Sequence, residues 1–228
     1  MSINLNNFSD FNTKNWNEYY KNFTGVEYPH EQLIIYVNYL KRRVDYSDKP
    51  KVLEIGFGSI ADMRFLDRMK YEVYGLEVSQ TAVEKGLLAC DKFKVKLNLQ
   101  HWTPPGLPYK NSFFDLFCSS NSIHFNLDQD AILFEMQRVL KEGGHLYTTY
   151  LAPGHKFIDR SRYIGDDLIQ FTDDHYVLKM RKMVMRYYDQ SSKLEKLYSK
   201  YFKEVRVTRL EYNILDAPNA YWVVTAKK

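Results

Sequence analysis

One short stretch limits what this chain can fold into more than any other: Lys51-Val52-Leu53-Glu54-Ile55-Gly56-Phe57-Gly58-Ser59-Ile60-Ala61-Asp62. Val52, Leu53 and Ile55 form an apolar run of the kind that lies buried on both faces of a parallel sheet. Gly56 and Gly58 end it in a tight turn, where glycine supplies positive φ and lets the backbone approach a ligand more closely than a Cβ would allow. Phe65, Leu66 and Met69 then recur at helical spacing, so Ala61 to Lys70 reads as a helix whose first amides face whatever lies over the loop. Glu54 stands two residues before the first glycine, and Glu77 ends the next strand, Tyr71 to Glu77. A carboxylate at that second strand tip is placed to accept hydrogen bonds from both ribose hydroxyls, which points to an adenosine-containing cofactor. Gly56-x-Gly58-x-x-Ala61 followed by Glu77 also satisfies the dinucleotide pattern, so an NAD(P)-dependent dehydrogenase stands as the alternative.

A chain of 228 residues, 45% hydrophobic and 26% charged, suits one globular domain that buries its core without staples. Cys90 and Cys118 lie far apart and outside any Cys-x-x-Cys pattern, so neither a disulfide framework nor a metal site is expected. No basic-then-apolar leader and no run of membrane-spanning length occurs, and the cytoplasm is the expected compartment. A net charge of +4 is too weak to argue for nucleic acid as a partner. A small molecule is expected instead, bound by a monomer or homodimer.

Along the chain, residues 1–50 read as a helical cap. Trp16, Tyr20 and Phe23 share helical spacing within Asn12 to Phe23, as a helix packed on the domain or as a lid with Tyr20 over the cofactor and Tyr19 toward the acceptor. Pro29 starts a second helix with Leu33, Val37, Leu40 and Val44 on one stripe. Residues 51–151 form the cofactor-binding core. Ser79 caps a helix to Cys90, and Phe93, Val95, Leu97 and Leu99 alternate as a strand. Phe113 to Ser119 is the fourth strand, Asp128 caps a helix stopped by Gly143-Gly144, and His145 to Leu151 is the fifth strand. Residues 152–200 read as a helical and loop insertion that selects the acceptor. Residues 201–228 read as a hairpin, Lys203 to Ile214 and Ala220 to Ala226, joined by Asp216 to Asn219. The repeated strand–helix alternation makes this an α/β fold with a mostly parallel sheet covered on both faces.

Val52 to Gly58, Leu107 to Asp115 with Ser119 to His124, and Arg138 to Gly144 together resemble three motifs of the class I S-adenosylmethionine-dependent methyltransferases. The similarity extends to the small-molecule branch that includes ubiquinone- and menaquinone-biosynthesis enzymes. The resemblance implies a Rossmann-like seven-stranded sheet of order 3-2-1-4-5-7-6 with strand 7 antiparallel, and S-adenosyl-L-methionine as cofactor. It implies that Glu54, Gly56 and Gly58 line the amino-acid end of the cofactor, Glu77 and Val78 the ribose and adenine edge, and Ser119 the sulfonium region. Two departures stand out: Ile60 replaces the loop's third glycine, and Thr103, beside Trp102, occupies the place of an aspartate near the adenine. Trp102 can stack on the adenine, while a catalytically silent cofactor-binding copy is a further alternative.

Methyl transfer is an in-line displacement in which a general base is optional. His124, after the fourth strand, is the first candidate base, and His155, after the fifth, the second. Arg160, Arg162, Tyr163, Arg181 and Arg186 in the insertion suit a phosphate or carboxylate, so the expected acceptor is a phosphorylated, phosphoramidate- or carboxylate-bearing metabolite such as a nucleotide or sugar, methylated on oxygen. The abundance of Asn, Lys, Ile and Tyr adds the expectation of a bacterial surface-carbohydrate pathway.

Overall fold

A computed structural model of the chain describes residues 5–23, 28–46 and 48–228. The start of the expected cap, residues 1–4 and 24–27, and Ser47 before the first strand lie outside the described residues.

Side chains alternate faces along a strand, and the central strands use both. Val52, Leu116 and Cys118 enter one apolar cluster, whereas Leu53, Ile55 and Phe117 enter another. These residues belong to β1 (Lys51–Ile55) and β4 (Phe114–Ser119). On the first face lie α2 (Glu31–Lys41), α3 (Ala61–Arg68) and α4 (Gln80–Phe93). On the second lie α5 (Gln129–Val139) and α6 (Ser191–Tyr198). Leu33, Val37 and Leu40 of α2 are almost wholly buried, each contributing roughly 1.5–3 kcal/mol. With β2 (Glu72–Glu77), β3 (Asn98–His101), β5 (Leu140–Leu151), β9 (Lys203–Ile214) and β10 (Ala217–Lys227), the order is β3-β2-β1-β4-β5-β10-β9. Numbered within this sheet alone, that is 3-2-1-4-5-7-6, and β10 is antiparallel to both neighbours.

Several local expectations are corrected. The N-terminal helix, α1 (Leu5–Asn22), starts before Asn12 because Leu5 and Phe8 pack on Leu127, Leu168 and Val184, contacts no local pattern announces. Phe93 stays on α4, with the Arg64 guanidinium over its ring, so the alternation from Phe93 is partly helix end; Lys94 closes the helix at φ +53. Gly143 and Gly144 do not stop a helix. α5 ends at Val139, and the glycines lie inside β5 where its register with β4 shifts, a bulge rather than a cap. The last hairpin turns at Leu215-Asp216, both at positive φ, rather than at Asp216 to Asn219. Pro218 lies in β10 beyond its pairing with β5, which begins at Tyr221, so its missing N–H is tolerated.

The largest correction concerns residues 152–200. Three short strands, β6 (Ser161–Gly165), β7 (Leu168–Phe171) and β8 (Val184–Arg186), form a separate antiparallel sheet before α6. Asp166 and Asp167, both at positive φ, turn the first hairpin. Strands of three to five residues carry too few alternations to stand out among the arginines and aspartates around them. Among the described residues no helix is long and apolar enough to cross a membrane, and no group of three metal-ligating side chains occurs.

Candidate active site

Where β1, β2 and β4 end, the chain opens into a cavity of about 770 Å³, a size that encloses small organic ligands. Its floor is the turn after β1. Gly56 and Gly58 have φ of +72° and +52°, and a Cβ on Gly56 would stand 1.7 Å from Ser122 Oγ. A Cβ on Gly58 would stand 2.4 Å from the Tyr20 hydroxyl, which places Tyr20 directly over the loop. Ile60, in the place of the third glycine, also has positive φ, at +61°.

Glu77, at the end of β2, ties this turn down: Gly58 N–H donates to its Oε2 and Ser79 N–H to its Oε1, both at 3.1 Å. Burial pushes its carboxyl up and the backbone donors pull it back. Glu54 is buried with Oε2 lacking any hydrogen-bond partner. Burial first, then the charges of Asp62 and Glu77, hold its carboxyl well above the usual range. Both carboxylates line the cavity, as do Val78, Trp102, Thr103 and Tyr19. Ser119 does not: its hydroxyl donates to the Ile55 carbonyl at 3.0 Å, fastening β4 to β1 behind the lining. Ser120, Asn121 and Ser122, which follow it, line the cavity instead.

Opposite the floor, α1 forms a wall. Trp16 packs edge-on against Phe125 (centroids 5.1 Å) and Tyr19 (5.6 Å). The Asn12 amide donates to Val184 O at 2.6 Å and accepts from Val184 N–H at 3.1 Å, extending the edge of β8. Asn17 Oδ1 accepts from Ser79 Oγ (3.0 Å) and Thr81 N–H (3.2 Å) at the start of α4. α1 thereby joins the start of α4 to the small sheet.

His124 and His155 both line the cavity. His124 is almost wholly buried with Nδ1 unpartnered, and desolvation pushes its pKa down to about 3. His155 accepts from Phe157 N–H at Nδ1 (3.1 Å), which leaves its proton on Nε2, 3.2 Å from the Tyr221 hydroxyl; burial lowers it to about 4. Both are therefore weak bases, and His155 has already spent its lone pair. Because their pKa values are depressed below the unfolded value near 6.5, the stability they contribute is present above about pH 6.5 and lost as pH falls toward 4 and 3. Each is expected to cost about 2 kcal/mol between pH 7 and 5. Glu54 and Glu77, raised, act in the opposite sense. Comparing thermal unfolding of wild type and His124→Gln at pH 7 and 5 isolates the histidine: the variant should lose less stability on acidification, and an equal loss would contradict the assignment.

Tyr19 apart, the expected acceptor residues are not brought to the cavity. Arg160 bonds to Asp174, Arg162 to Gln170 Oε1 (2.6 Å), and the exposed Tyr163 accepts from Asp167 N–H. Arg181 bonds to His175 O and Arg186 to Leu127 O (2.6 Å). None of the five lines the cavity. Sequence reasoning missed His30 and Asp62, which meet at 2.9 Å across 32 residues. Asp62 ends the glycine stretch and was visible there, but nothing local pairs it with a histidine.

A glycine turn after the first strand, a carboxylate at the tip of the second and a sheet of this order are the features of the fold shared by class I S-adenosylmethionine-dependent methyltransferases. Residues 53–148 match the family model described as "Methyltransferase domain". The match is to the domain as such and does not single out the ubiquinone-type branch, but it sets aside the dehydrogenase reading. Solved structures share the fold. A S-adenosylmethionine-dependent methyltransferase from Methanosarcina mazei aligns with TM-score 0.67 at 18% identity, over 83% of this chain and 96% of that one. One from Mesorhizobium loti aligns with TM-score 0.58 at 15% identity, over 84% and 96%. Phosphoethanolamine N-methyltransferase 2 of Haemonchus contortus, in complex with S-adenosyl-L-methionine, aligns with TM-score 0.65 at 16% identity, over all of this chain and 60% of that one. No curated protein matches the chain in sequence.

Proposed function

We propose that the protein transfers a methyl group from S-adenosylmethionine to a small acceptor that carries no strong negative charge. The observation behind this reading is the charge of the lining. Asp10, Glu54, Asp62, Glu77 and Asp128 line the cavity and, among the described residues, no lysine or arginine does. A phosphate or carboxylate would enter against that field with no cation to receive it. The arginines that motivated an anionic acceptor are engaged elsewhere, so the nucleotide or sugar phosphate gives way to an uncharged or cationic molecule.

The residues present fit the cofactor: glycines that leave no room for a Cβ, and a buried carboxylate oxygen still without a donor. When bound, it supplies an electrophilic methyl group on a positively charged sulfur. Glu54 would receive the amino group, Glu77 the ribose hydroxyls, and Val78, Trp102 and Thr103 the adenine edge. Trp16, Phe125, Leu151, Phe157 and Met180 give the rest of the cavity an apolar surface that excludes water and holds an acceptor.

Calorimetric titration with S-adenosylhomocysteine and with NADH is expected to show binding of the first alone, in the micromolar range. Label transfer from S-adenosylmethionine is then compared between neutral phenols or alcohols and their phosphate esters. Preferential methylation of the esters would overturn the charge argument; binding of NADH alone would overturn the function.

A further inference from the structure

The cavity is lined by three histidines, His30, His124 and His155, and their surroundings make them chemically unequal. His124 is desolvated with no carboxylate beside it, and His155 has its Nδ1 lone pair engaged by Phe157 N–H. His30 is built differently. It caps the start of α2, its backbone N–H donates to Asp62 Oδ1 at 2.7 Å, and its ring Nδ1 lies 2.9 Å from Asp62 Oδ2. The Asp62 side chain is 3% exposed, whereas the His30 ring is 40% exposed. Asp62 also stands in the first turn of α3, where unpaired amides favour an anion.

This pair settles the tautomer. Nδ1 facing a carboxylate carries the proton, so Nε2 keeps its lone pair. Asn121 Nδ2 lies 3.2 Å from Nε2 and donates to it. Asn121 is itself held in a left-handed conformation, φ +53°, by Thr149: its N–H donates to Thr149 Oγ1 at 2.7 Å, and that hydroxyl donates to Asn121 Oδ1 at 2.9 Å. Asp62–His30–Asn121 thus spans the space between α3, α2 and the end of β4, beside Gly56 and Ser122. Among the described residues Asp62 faces the ring, with Glu54 of β1 behind it, and no lysine or arginine lines this cavity to oppose protonation.

We infer that His30 is the general base of the reaction, taking the proton of a neutral acceptor at Nε2, and that Asp62 is the residue that orients it. The inference rests on the proposed methyl transfer to an uncharged acceptor, which has an O–H or N–H proton to lose. As the acceptor atom bonds to the methyl carbon, the carbon–sulfur bond breaks with its electron pair going to sulfur. The acceptor's proton passes to His30 Nε2, displacing the Asn121 amide, and Asp62 balances the imidazolium so formed.

Two measurements test it. NMR titration of the histidine rings, in the protein without added acceptor, should place His30 above the ordinary value near 6.5, with its neutral form protonated at Nδ1. Asp62→Asn, which keeps the shape, should lower that pKa by about one unit or more. A His30 pKa at or below 6.5, or one unchanged in Asp62→Asn, overturns the inference. The second measurement is transfer to phenols of graded acidity by His30→Asn, which retains a favoured helix cap and so should fold. Loss of about 10²–10⁴ is expected with weakly acidic phenols and little loss with a nitrophenol that is already ionised. Equal loss with both would assign His30 a structural role. Failure of the methyltransferase reading is read separately, as absence of S-adenosylhomocysteine binding by wild type and variants alike.

Discussion

Glu77→Ala is expected to weaken S-adenosylhomocysteine binding by at least about a hundredfold, and two effects act together. The first is direct. A carboxylate paired with ribose hydroxyls makes charge-assisted hydrogen bonds of roughly 1.5–3 kcal/mol each, and alanine removes both acceptors. The second passes through the loop. Gly58 N–H and Ser79 N–H now end on Glu77, and truncation leaves two buried donors without partners. Each unsatisfied donor costs about 1–3 kcal/mol, so the turn relaxes away from the geometry that admits the cofactor. Glu77→Gln should retain part of the affinity, because one amide oxygen can still accept. Titration calorimetry reads all three proteins, and an alanine variant within threefold of wild type would remove Glu77 from the cofactor site.

Gly56→Ala should produce a large structural effect, since an added Cβ there meets a closer neighbour than at Gly58, Gly75 or Gly86. Its φ of +72° is costly for a residue with a Cβ, by about 1–2 kcal/mol. That Cβ would also stand 1.7 Å from Ser122 Oγ and 2.4 Å from Ser122 Cβ, so the segment after β4 must move as well. A total near 3 kcal/mol corresponds to a fall of roughly 6–12 °C in melting temperature for a chain of this size. Cofactor binding should be lost at temperatures where the variant is still folded. Gly106→Ala is the matched control, since a Cβ there meets nothing within 4 Å. Equal melting temperatures for the two variants would show that the close approach at Gly56 is not a constraint.

Ile60 shows how a motif departure is accommodated. A β-branched residue at φ +61° is strained, yet Ile60 is wholly buried in the cluster that holds Phe57, Met63 and Val83. Space for it comes from α4, where Gly86 stands so close that a Cβ there would lie 3.2 Å from Ile60 Cγ2. The glycine absent from the loop is compensated by one in the helix packed against it, a relation between residues 26 positions apart that no motif records.

What the sequence by itself determined about this protein is the part governed by short-range rules. The apolar run of β1, the glycine turn, the caps at Ser79 and Asp128 and the carboxylates at Glu54 and Glu77 each depend on neighbours a few residues away, so the sheet and the floor of the cavity were legible from them. Only the tertiary structure decided the rest of the cavity lining. The arginines of residues 152–200 have the right chemistry for an anion, but the small sheet turns them onto Asp174, Gln170 and backbone carbonyls, and leaves the cavity to carboxylates and aromatic rings. His30 and Asp62 acquire their relation only when α2 is laid across the start of α3. The physical reason is the same in each case: a side chain's type is local, but its burial, its partner and the face it presents are set by contacts between segments distant in the chain.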